Sequence, residues 1–200
     1  MQQWPENVVL TGEHVVLVPL DPSHCSDLQE AAADGELHRL WYTSVPAPEG
    51  VSVEIERRLS LRAAGSMLPF AILRKADMKP VGMTTYMQID AATKRVEIGS
   101  TWYRKAVQRG PINTECKYLM LRHAFEQLDC VAVEFRTHFI NHQSRRAIER
   151  LGAKLDGVLR SHIRLSNGTL RDTAVYSIIQ GEWPTVKSHL IWQMERPRDE

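Results

Sequence analysis

Cysteine is scarce in this chain. Cys25, Cys116 and Cys130 are the only three, an odd number without C-x-x-C spacing, which excludes a disulfide framework or a zinc site and predicts reduced, mostly buried thiols. Net charge is nearly absent too: 25 Lys and Arg against 24 Asp and Glu leave +1, so no global field would hold the protein on nucleic acid or an anionic membrane, and any basic site must be local. No run approaches the roughly 20 consecutive apolar residues that span a bilayer. Residues 1–6 carry Gln, Pro and Glu where a secretory signal would be basic and then apolar. Together these absences predict a cytoplasmic protein with no nucleic-acid and no membrane partner. The chain also lacks the GxGxxG and GxxxxGK[ST] phosphate loops, which argues against nicotinamide and nucleoside-triphosphate enzymes.

What is present is a foldable single domain: 200 residues, 43% of them hydrophobic, close one substantial core with no interdomain linker or repeat. Residues 13–20 (EHVVLVPL) are β-branched and apolar, and Asp21-Pro22-Ser23 follow as helix-start residues. A loose helical pattern over 51–64 ends at Gly65. Three apolar runs between 68 and 103, separated by KADMK and DAATK, predict an antiparallel meander. A long helix fits 112–128, with Ile112, Cys116, Leu119 and Met120 along one side. Alternation over 131–139 then predicts a strand with one strongly apolar face and a parallel neighbour. A short helix over 142–151 has Asn141 as N-cap and Gly152 as stop. The runs 154–165 and 170–179 flank Asn167-Gly168, a strong hairpin signal. A last helix over 181–193 and a solvated tail over 196–200 complete the chain. This order is a mixed α/β or α+β architecture rather than a doubly wound one.

Chemistry concentrates where the meander meets the long helix, at Gln108-Arg109-Gly110-Pro111-Ile112-Asn113-Thr114. Unpaired N–H groups and the positive end of the helix dipole make this junction a candidate anion site, to which Arg109 adds a charge. The same segment also reads as an ordinary helix start with Pro in its first turn. His138 and His142 are four apart across a strand-to-helix junction, so the helical pairing that favours zinc does not apply, and no metal site is expected. The alternating stripe Arg160, His162, Arg164 reads as a wet sheet face.

Three separated patches, Glu97-Ile98-Gly99 in a strand, the loop running into Thr114-Glu115, and Asn141-x-x-Ser144 ahead of Leu151-Gly152, resemble the GNAT superfamily of acetyl-CoA-dependent N-acetyltransferases. A closing Asp172-x-x-Val175-Tyr176-Ser177-Ile178 strand followed by Glu182-Trp183 is similar to its Rim-type, ribosomal-protein-modifying branch. The resemblance covers roughly 13–183, leaving 184–200 as a C-terminal helix and tail. It implies a twisted mixed sheet of about seven strands flanked by helices and splayed between 97–103 and 132–140. In that gap the pantetheine arm of acetyl-CoA would pair with exposed backbone, with Trp102 and Tyr103 as main-chain contacts.

The resemblance further implies pyrophosphate contacts from Gln108, Arg109, Gly110, Ile112, Asn113 and Thr114. Pro111 stands where a second Gly-type residue is usual and donates no N–H. Asn141 would bond pantetheine, Arg145 would reach phosphate, and Ser144 would protonate the departing thiolate. Glu97 is the first candidate for the general base, with Glu134 and His138 as second choices. The implied reaction is direct acetyl transfer to a primary amine of a protein, peptide or small molecule, with homodimerisation as a further expectation. The alternatives are a CoA-binding module without turnover and an interaction protein acting through the edge of the terminal hairpin.

Overall fold

Strand alternation and helical periodicity sort along the chain into thirteen regular elements in the computed structural model, which describes residues 4–196. Residues 1–3 of the segment read against a secretory signal, and 197–200 of the expected tail, lie outside the described residues. The strands are β1 (Leu10–Thr11), β2 (Val15–Pro19), β3 (Met67–Arg74), β4 (Lys79–Asp90), β5 (Arg95–Tyr103), β6 (Ala132–His138), β7 (Lys154–Arg164) and β8 (Leu170–Ile179). The helices are α1 (Cys25–Ala33), α2 (Val51–Ala63), α3 (Ile112–Glu126), α4 (His142–Glu149) and α5 (Trp183–Glu195). One sheet holds all eight strands in the order β1-β2-β3-β4-β5-β6-β8-β7. Seven of these are the expected strands; the eighth is the two-residue β1, too short to carry an alternation pattern. Every neighbouring pair is antiparallel except β5 and β6, which run parallel because α3 carries the chain across between them.

The sheet is buried on both faces over β3 and β4, whose inward residues alternate between two apolar layers. Phe70, Ile72, Val81 and Tyr86 face α3 and α5, while Ala71, Leu73 and Met83 face α1 and α2. The C-terminal helix is part of this core: Trp183 stacks on Phe125 at 5.3 Å, and Val186 and Leu190 are buried beside it. The hairpin of β7 and β8 turns at Gly168, whose φ of +85° explains why Asn-Gly stands there. Beyond it, β7 is an edge strand exposed on both faces, with Arg160 paired to Asp172 and His162 bonded to Thr173.

The start of α3 is tied to the sheet by one carboxylate. Glu115 accepts the main-chain N–H groups of Glu13, His14 and Val15 at 2.7, 2.8 and 2.8 Å, which fixes the helix end against the start of β2. Gly12 makes room for it, since a Cβ there would stand 2.5 Å from the Glu115 carboxyl carbon. Hydrogen bonds to a charged acceptor contribute about 1.5–3 kcal/mol each, so Glu115→Ala is expected to lower stability to urea by roughly 3 kcal/mol or more. Gly12→Ala is expected to destabilise the wild-type chain but to cost much less in the Glu115→Ala background. Equal costs in both backgrounds would refute the clasp.

Candidate active site

The parallel pair β5–β6 is hydrogen-bonded only over Arg95–Glu97 against Ala132–Glu134. Both strands continue past these residues, to Tyr103 and His138, without pairing, so a gap opens after Glu97 and Glu134. Its closed end therefore lies at Glu97 and Glu134, within the splay expected from the sequence. The divergence coincides with a bulge in β5: Met83 pairs Trp102 and Thr85 pairs Gly99, so Thr84 alone faces both Ser100 and Thr101. Ser100 adopts a φ of +48°, and such two-for-one pairing bends a strand and sharpens its twist.

Glu97 sits at the closed end on the sheet face opposite α3, next to Glu134 in the parallel register. It is 6% exposed, and its Oε1 lies 2.8 Å from where a Cβ on Gly99 would stand. The glycine thus leaves the carboxylate free to lie along β5 toward the open part of the gap. Burial pushes the Glu97 carboxyl up to about 7; the Arg136 guanidinium, 3.6 Å away, pulls against this and the Glu134 charge adds to it. Glu134 itself is held below the usual range, because Arg95 and Arg136 both donate to it and outweigh its partial burial. Two adjacent carboxylates are thereby separated in proton affinity, and the one with an available carboxyl is Glu97.

At the open end, His138 is buried with Nε2 unpartnered, and burial first, then Arg171, lowers its pKa against the pull of Asp172. The half-exposed Trp41 ring meets it edge-on at 5.7 Å and also packs on Tyr42. Nothing in the sequence marked Trp41, since the segment 40–50 has no periodicity. Asn141 caps α4 by accepting the Ser144 N–H at 3.1 Å, which leaves its Nδ2 group and the Ser144 hydroxyl without intramolecular partners among the described residues. Arg145 is occupied otherwise: its Nε donates to the Tyr176 hydroxyl at 2.8 Å and its guanidinium stacks over Phe139.

The loop before α3 turns sharply at Arg109, which is exposed and left-handed with φ +62°. Gln108 Nε2 donates to the Tyr103 carbonyl at 3.1 Å, binding the loop to the end of β5. Pro111 stands at the N-cap in helical conformation, and the first bond across it is Glu115 N–H to the Pro111 carbonyl. The amides of Gly110, Ile112, Asn113 and Thr114 have no intramolecular acceptor among the described residues. The proline removes one donor, and four remain beside it, which fits a diphosphate better than a single anion. Trp102 is packed at 4% exposure among the α1 and α2 side chains, so only its backbone is available to a ligand in the gap. A hollow of about 530 Å³ is lined by His14, Arg74 and the loop residues Gly110, Pro111 and Ile112; another of about 180 Å³ contains Glu97 and Arg136. Size and chemistry do not coincide here, and the perturbed carboxyl marks the second.

The site thus combines a splayed parallel strand pair with a helix start of free amides whose loop is tied to the end of β5. Residues 14–154 match the family model described as an acetyltransferase (GNAT) domain. The chain belongs to the GNAT acetyltransferase family. It is 31% identical over 103 residues to a Bacillus subtilis (strain 168) protein named "Putative ribosomal N-acetyltransferase YdaF"; the match spans 51% of this chain and about half, 55%, of that relative. Among solved structures, a GCN5-related N-acetyltransferase from Brucella melitensis is 31% identical with a TM-score of 0.86, covering 98% of this chain and 90% of its own. Mycobacterium smegmatis RimJ in complex with CoA-disulfide shares the fold at 21% identity, with a TM-score of 0.78 and coverage of 96% and 97%.

Because the folded pKa of Glu97 is raised, the carboxyl favours folding in its protonated form. Its stabilising contribution is full below about pH 4.5 and is lost as pH rises through about 7. Glu97→Gln is expected to raise the melting temperature above pH 7 relative to wild type and to leave it unchanged near pH 4. A stability difference independent of pH would contradict the assignment.

Proposed function

We propose that the protein transfers an acetyl group from acetyl-CoA to a primary amine in a direct ternary complex. The observation that carries this reading is the Glu97 carboxyl, buried at the closed end of the β5–β6 gap and poised near neutral pH. Acetyl-CoA supplies the activated acyl group as a thioester. The four free amides at 110–114 would hold its diphosphate, and the unpaired β5 backbone past Glu97, with Asn141 Nδ2, would hold its amide-bearing arm. Glu97 then takes a proton from the attacking amine, directly or through water, the C–S bond breaks as the tetrahedral intermediate collapses, and the Ser144 hydroxyl gives a proton to the departing sulfur and is reprotonated through solvent as Glu97 releases its own. Arg145 contributes to the phosphate end only by leaving Tyr176, and we assign it to holding α4 in place.

A protein or peptide α-amine is the acceptor we favour. Its reference pKa of about 7.7–8.0 leaves part of it neutral at cytosolic pH, where Glu97, raised to about 7, is partly ionised. The name of the Bacillus subtilis relative, a "Putative ribosomal N-acetyltransferase", supports a protein acceptor. The Trp41–Tyr42–His138 aromatic group at the open end offers an apolar contact for the first side chains of such a peptide. A cytoplasmic setting is supported by three free cysteines. The second reading, a CoA-binding module without turnover, is motivated by Pro111.

Thiol release from acetyl-CoA with a panel of peptides and small amines decides between the two. Glu97→Gln is expected to lower kcat/KM by about 10²–10⁴ and to remove a rise in rate centred near pH 7, while CoA affinity stays within a few-fold. Tight CoA binding with no release for any amine would favour the module.

A further inference from the structure

Two buried cations grip the β5 bulge from opposite sides of the sheet. On the α2 side, Arg58 is 1% exposed; its Nη2 donates to the Ser100 carbonyl at 3.0 Å and its Nη1 to the Thr85 hydroxyl at 2.8 Å. Glu54 neutralises it through Nε at 2.7 Å. On the α3 side, Lys117 is 6% exposed; its Nζ donates to the Thr101 hydroxyl at 2.7 Å and the Thr84 hydroxyl at 3.3 Å. The contacts are matched: consecutive residues of β4, Thr84 and Thr85, face opposite ways, and each offers a hydroxyl to the cation on its own side. The consecutive bulge residues Ser100 and Thr101 are divided between the same two cations.

The position of Lys117 needs no charge to fill the core. Lys117 has no carboxylate partner among the described residues, and burial lowers its pKa to about 8, so the fold bears an uncompensated ammonium at neutral pH. Thr84 and Thr101 already bond each other at 2.8 Å, so neither hydroxyl depends on the lysine for a partner. A methionine would occupy the same space at lower cost. Local rules broken in this way, at a bulge with a left-handed residue and beside the gap, point to a geometric task.

We propose that Lys117 and Arg58 are positioning residues that clamp the Ser100–Thr101 bulge and so hold the β5–β6 gap at the width the acetyl-CoA arm requires. The clamp rests on the acetyl-CoA reading above. It predicts that the loss of Lys117 weakens acetyl-CoA binding without lowering stability, which the loss of a purely structural lysine would not do.

The test measures CoA affinity by calorimetry, KM for acetyl-CoA and for the amine, and the melting temperature, for the full chain and its variants. Lys117→Met is expected to weaken CoA and raise KM for acetyl-CoA by about tenfold, with KM for the amine unchanged and the melting temperature equal or higher. Arg58→Met is expected to act in the same direction, with Arg58→Lys recovering part of the affinity. Because both cations hold one bulge, the double methionine variant loses less than the product of the two single losses. A Lys117→Met protein that binds CoA as tightly as wild type overturns the clamp, and so does one whose affinity falls only with its melting temperature. Wild-type protein that does not bind CoA at all overturns the acetyl-CoA reading and the clamp together.

Discussion

The arrangement depends on one interruption of a hydrogen-bond ladder. β5 and β6 pair for three residues each and then separate, and just past that point β5 spends two residues, Ser100 and Thr101, opposite the single Thr84. A continuous parallel pair would have closed the sheet over its whole length and left no backbone for a ligand. The interruption leaves main-chain donors and acceptors of β5 exposed past Glu97 and puts a carboxyl at the point where pairing stops. The fold tolerates the opening because its remaining neighbours are well paired: β3 with β4 and β6 with β8 run in register over most of their lengths.

The helix that crosses beneath the gap joins its parts into one unit. Glu115 fastens the start of α3 to β2, Gln108 fastens the preceding loop to the end of β5, and Lys117, further along the same helix, reaches the bulge. The free amides at 110–114 are therefore set relative to the β5 backbone by contacts on both sides. For a ligand with a diphosphate at one end and a thioester at the other, this spacing is the property that matters. The first residues of α3 thus carry the Glu115 anchor, the free amides proposed to hold an anion and the lysine proposed to support the bulge.

The element order and the parallel crossing at β5–β6 were legible in the sequence because they rest on periodicity and turn residues, such as the alternation over 131–139 and Asn167-Gly168. Glu97, Gly99, Asn141 and Ser144 were legible through family resemblance, and the steric reason for Gly99 emerged only with the Glu97 carboxylate lying over it. Arg58 and Lys117 were not legible. On helices, an arginine or lysine among charged and apolar neighbours reads as a solvated residue, and burial of each follows from a bulge that no local pattern announces. The Trp41 contact escaped because its partner, His138, is distant in the chain, and the two-residue β1 because it is too short to carry a period.

Amide hydrogen exchange of the full chain with and without CoA tests the central claim most directly. The account predicts slowed exchange at the backbone of 98–103 and 110–114 when CoA is added, with β2 and β3 unchanged. Protection confined to residues 13–15 and 74–76, or no protection in β5 at saturating CoA, would contradict it.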